Sequence, residues 1–122
     1  MRRLLTVFTL LLALTACAPT GGILVSPDAR GIGGNLFVET AKEGQSFLVL
    51  DGEISPETSF VFQAVVEQND IRGLVIAQSP GGDLLAAHQI GRTIKRKRMN
   101  TFVLASCISA CVDIFVAGRN RE

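Results

Sequence analysis

The chain has 122 residues, with 12 lysines and arginines against 11 aspartates and glutamates, and hydrophobic types make up 48% of it. A formal net charge of +1 excludes the strongly basic balance of an electrostatic nucleic-acid binder. No internal repeat is evident, and a chain of this length supports only one modest core.

At the N-terminus, Arg2 and Arg3 precede the apolar run from Leu4 to Leu14. A basic segment followed by about eleven apolar residues predicts an export signal, since a membrane-spanning helix needs about twenty. The run meets Leu14-Thr15-Ala16-Cys17, which resembles the bacterial lipoprotein cleavage box. That resemblance implies cleavage after residue 16 and a diacylglycerol on the Cys17 thiol. It further implies a protein lipid-anchored in the bacterial envelope and facing the periplasm. The alternative is a buried N-terminal helix with an incidental cysteine. Cleavage would remove two positive charges, leaving 106 residues and a net charge of −1.

Residues 17–45 are rich in glycine and small polar types, which predicts a lipid-attached flexible tether with one weak strand over 35–40. The remaining 46–122 segment should be the compact part. Phe47-Leu48-Val49-Leu50 suits a buried strand closed by Asp51-Gly52. Ser55-Pro56-Glu57 predicts a helix start, with Ser55 capping and Pro56 at the first helical position, where its missing N–H loses no bond. That helix should run to about Gln68, with Phe62, Val65 and Val66 among its apolar contacts, and break at Asn69-Asp70. Gly73-Leu74-Val75-Ile76-Ala77 predicts a parallel strand covered on both faces.

After the turn Ser79-Pro80-Gly81-Gly82, Asp83 can cap a helix carrying Leu84, Ala87, Gly91 and Ile94 on its buried side. Gly91 inside a helix points to another backbone passing close. Lys95-Arg96-Lys97-Arg98 falls where the helix should end, complementing its dipole or facing anionic lipid or a partner. Thr101 to Ala105 should form a third strand, and Val112 to Val116 a helix ending at Gly118. Strand and helix alternate three times, predicting an α/β fold with a mainly parallel sheet.

Two positions after strands carry chemistry. Pro80, Gly81 and Gly82 would free backbone N–H groups for a developing oxyanion. Ser109, in Cys107-Ile108-Ser109-Ala110-Cys111, would present its hydroxyl where strand turns to helix, with the Ala110 N–H as second oxyanion donor. An ordinary turn and an ordinary cap are the alternatives for either feature alone. Cys107 and Cys111 allow either a disulfide bracing the serine loop or two small buried thiols. Two thiols with no adjacent histidine supply too few metal ligands, so neither a metal nor a cofactor is expected.

Residues 52–118 resemble the superfamily of the Clp-protease proteolytic subunit and crotonase. The likeness rests on Gly52-Glu53-Ile54, on Ser79-Pro80-Gly81-Gly82 and on Ser109-Ala110. It implies a partial spiral of β-α units, oligomer formation, a peptide substrate and Ser109 as the catalytic nucleophile. Gly81, Gly82 and Ala110 would form the oxyanion hole. The family's histidine follows the serine by some two dozen residues, whereas this sequence stops at Glu122. The sole histidine, His88, precedes Ser109 and should be a surface or half-buried helix residue. Two functions are therefore expected to compete. One is an envelope serine peptidase, incomplete or inactive in this chain. The other is a truncated, non-catalytic lipoprotein serving as a binding or structural module. Acyl-thioester chemistry ranks behind both, for want of a nucleotide pocket. A domain stopping after about three strands should also expose apolar surface and self-associate.

Overall fold

The computed structural model describes residues 25–122. The export signal over 1–16, the lipidation residue Cys17 and the first part of the tether lie outside the described residues. Among the described residues five strands, β1 (Arg30–Gly33), β2 (Leu36–Thr40), β3 (Ser46–Asp51), β4 (Ile71–Ser79) and β5 (Asn100–Cys107), lie in sequence order in one sheet. Three helices, α1 (Pro56–Gln68), α2 (Leu84–Lys97) and α3 (Ala110–Val116), follow β3, β4 and β5.

The sheet is mixed and open, not the mainly parallel partial spiral that the resemblance implied. β1 pairs antiparallel with β2 and β2 with β3, while β3, β4 and β5 run parallel. The physical reason is connection length. A few residues, Gly34 and Asn35 or 41–45, can reverse a chain but cannot cross over a sheet. The later connections each contain a helix and can. The sheet also begins within the stretch expected to be a tether. β2 coincides with the weak strand expected there, and Leu36 reaches the core.

Local chemistry explains the helix boundaries. The Ser55 hydroxyl accepts from the Thr58 N–H at 3.2 Å, and the Thr58 hydroxyl accepts from the Ser55 N–H at 2.9 Å. This reciprocal box satisfies two otherwise orphaned donors, with Pro56 opening the helix. Asp83 caps α2 by accepting from the Ala86 N–H at 2.7 Å. The same helix ends on Arg98 in a left-handed conformation, whose N–H reaches the Ile94 and Lys95 carbonyls.

The core lies between the sheet and one layer of helices. Leu48, Leu50, Leu74 and Ile76 meet Phe62, Val66, Ile90, Ile94 and Ile114 there. Each such side chain contributes about 1.5–3 kcal/mol on leaving water. α1 packs on α2 and α2 on α3. Right-handed crossovers between adjacent strands taken in order put the helices on the same face. Among the described residues, β4 is therefore covered by helices on one face only, not on both. The opposite face carries Phe47, Val75, Phe102 and Leu104, which line a shallow apolar depression of about 360 Å³ with Glu39 and Ala41.

Two details at β5 bear on the site. Between the pairs Ile76–Val103 and Gln78–Ser106, β4 contributes Ala77 alone while β5 contributes both Leu104 and Ala105. β5 therefore bulges just before Cys107. On its outer side, the Thr101 N–H donates to the Asn120 carbonyl at 3.0 Å and the Val103 N–H to the Glu122 carbonyl at 2.8 Å.

Candidate functional site

The two turns singled out by sequence meet at the carboxyl ends of β4 and β5. Ser79 is fully buried, and its hydroxyl accepts from the Gly81 N–H at 3.2 Å. The Ile108 N–H donates to the Ser79 carbonyl at 3.0 Å, which ties the second turn to the first. Gly81 has φ of 94° and Gly82 of 140°, a region that disfavours any side chain. A Cβ on Gly81 would stand 2.7 Å from the Ile108 carbonyl oxygen, 2.9 Å from the Ser109 Cβ and 3.0 Å from the Ala110 nitrogen.

Gly82 faces elsewhere. A side chain there would collide with the Ile54 carbonyl, and the Asp83 N–H donates to that same carbonyl at 2.8 Å. The Ile54 N–H in turn donates to the Gly81 carbonyl at 2.8 Å, so the glycine turn is laced to the chain just before α1. The structure thus brings Gly81, Ser109 and Ala110 together and sets Gly82 against Ile54. The Gly81 N–H is already engaged by Ser79, a local partner that sequence reasoning missed.

Ser109 precedes α3 with φ of 57° and ψ of −129°, and its side chain makes no capping hydrogen bond. A non-glycine residue held there costs on the order of 1–3 kcal/mol and persists only where its surroundings impose it. Three restraints are visible. The Val112 N–H donates to the Ser109 carbonyl at 2.9 Å, and the Cys111 N–H to the Ile108 carbonyl at 3.2 Å. Cys107 and Cys111 are joined by a disulfide, with their Cα atoms 5.3 Å apart. The result is an exposed serine on a rigid turn beside Gly81, flanked by an exposed Ile108.

His88 is engaged by α3. Its Nε2 lies 3.7 Å from the Asp113 carboxylate on α3, both side chains being about half exposed. The two line a groove of about 310 Å³ with Gly91, Arg92, Lys95, Val116 and Ala117, and Ser109 is not part of it. No hydrogen bond joins His88 to Ser109 among the described residues. Gly91 makes the pairing geometrically possible. A Cβ there would already be 3.3 Å from the Asp113 carbonyl and 3.5 Å from the Ala117 Cβ, so α2 and α3 approach closely. Sequence reasoning anticipated that close approach but did not find Asp113.

The basic cluster at the end of α2 is partly neutralised. Arg96 and Lys97 both pair with Glu67 of α1. The Arg96 hydrogen bond first, and the Lys97 hydrogen bond second, hold the Glu67 carboxyl below its ordinary pKa. No group of three or more histidine, cysteine or carboxylate side chains suited to a metal occurs among the described residues. No helix among them is long and apolar enough to cross a membrane.

No family model matches the chain, and no curated protein matches it. The expected placement among Clp-protease-like or crotonase-like serine proteases therefore has no matching family behind it. The mixed open sheet also departs from the parallel spiral that placement required.

Proposed function

We propose that the domain is a non-catalytic binding or structural module that presents Ser109 on a rigid turn. One observation carries this reading: the sole histidine is directed to Asp113 in a groove that Ser109 does not line. Without a base, a serine hydroxyl is a poor nucleophile at neutral pH. The Cys17 motif makes this module a lipid-anchored one of the bacterial envelope. Metabolic labelling with a clickable fatty acid, lost in Cys17→Ser, tests the anchor. A fluorophosphonate probe tests the site. The module reading expects no labelling of the oxidised full chain, and labelling abolished by Ser109→Ala would overturn it.

A second reading is favoured by the Ser109 backbone. Its positive φ beside Gly81 and the Ala110 N–H suits a serine that attacks a peptide carbonyl, with the base contributed by another copy of the chain. This reading expects labelling that rises with protein concentration as the copies associate. Concentration-independent silence would exclude it.

A further inference from the structure

We propose that the Cys107–Cys111 disulfide is a redox latch that holds Ser109 in its strained positive-φ conformation, so that reduction releases the turn. The bridge closes a ring whose interior residues are Ile108, Ser109 and Ala110, and the one strained backbone in that ring belongs to Ser109. The serine side chain makes no capping hydrogen bond to hold itself there. Both ends of the ring are anchored in regular structure: Cys107 is the last residue of β5, and Cys111 lies in the first turn of α3. Inside the bridge, the remaining restraints are the Ile108 N–H bond to the Ser79 carbonyl and the backbone hydrogen bonds of a single helical turn, which open locally far more readily than a core does.

The two sulfurs differ in access. Cys111 is fully buried, whereas Cys107 is partly exposed, so an incoming thiolate meets Cys107. The reductant is a dithiol. One of its thiolates bonds to the Cys107 sulfur as the Cys107–Cys111 bond breaks, and Cys111 leaves as a thiolate that takes up a proton. The second thiol of the reductant then displaces Cys107, which also leaves as a thiolate and is protonated. Two electrons and two protons pass to the protein, and the dithiol ends as a disulfide. A disulfide reagent running the same exchange in reverse, itself reduced to a dithiol as it takes up the two electrons and two protons, restores the latch. An oxidising envelope keeps the turn closed, and thiol–disulfide exchange opens it.

This inference concerns the conformation of the turn and holds whether Ser109 reacts or only binds. Hydrogen–deuterium exchange of the full chain, read by mass spectrometry before and after dithiothreitol, tests it. The expected result is that dithiothreitol reduces the folded protein and speeds exchange of the 106–112 peptide at least tenfold. Peptides from β3 and β4 should keep their oxidised rates. Ser109→Gly should shrink that difference, since glycine holds a positive φ without strain. The latch is refuted by equal exchange in the two redox forms, or by a bridge that resists dithiothreitol until the protein unfolds. Acceleration throughout the sheet would refute it too, because the bridge would then be a staple of the whole fold. A redox difference undiminished in Ser109→Gly would show that the serine strain is not what the bridge restrains.

Discussion

At the level of single residues, capping chemistry was the most legible part of this chain. Ser55 and Asp83 announce themselves because a short polar side chain before an apolar periodic run has one favourable use, accepting a free helix N–H. Asp83→Ala should cost about 1 kcal/mol in urea unfolding through loss of the Ala86 bond. Gly81 was legible as a special turn, but its tight approach to Ile108 and Ala110 was not, because that depends on where a distant segment packs. Gly81→Ala should destabilise by about 1–3 kcal/mol from φ strain alone. The same substitution should also displace the Ser109 turn, which the Ala110 amide resonance would report. Ser109 itself was found by its neighbours, yet nothing in its residue type signals a positive φ. Leu84 misled for a related reason. Its spacing fits the buried stripe of α2, but it stands in the first turn and is 54% exposed.

Among the elements, the parallel β3–β4–β5 unit could be read from continuous apolar runs separated by helix signals. The β1–β2 hairpin could not, because its glycines resemble those of a linker. Only the pairing of Leu36 with Leu50 and of Val38 with Leu48 shows that the segment is structured. The helix layer offers two tests. Gly91→Leu should destabilise by about 1–3 kcal/mol, since α2 has no room for a branched side chain against Asp113 and Ala117. The link from Glu67 to Arg96 and Lys97 should make stability depend on acid. Glu67 has a folded pKa below its ordinary 4.5, so its contribution is present above that value and is lost as pH falls through the folded pKa. In Glu67→Gln, the unfolding free energy should vary less steeply below about pH 4.5 than in the parent, as acid titration of urea midpoints would show. An unchanged slope would mean that the exposed pair is spent on solvent.

For the molecule as a whole, one-sided helix coverage explains why an apolar sequence leaves so much apolar surface. Runs such as Leu74-Val75-Ile76-Ala77 read as buried on both faces, but periodicity does not say what lies on the second face. Phe47, Phe102 and Leu104 remain on it. A hydrophobic dye such as anilinonaphthalene sulfonate should therefore bind the native protein, and Leu104→Lys should weaken that binding without lowering the unfolding midpoint by much. Dye binding equal in the two proteins would locate the accessible apolar surface elsewhere.

The bulge in β5 makes the strand tolerant of a change in length at one place. The extra residue between Val103 and Ser106 is taken up locally, so Ser106 stays opposite Gln78 and Cys107 opposite Ser79 beyond it. Deleting Ala105 would tidy the ladder and leave Cys107 on the face it already occupies, within reach of Cys111. A one-codon deletion there should thus spare the bridge.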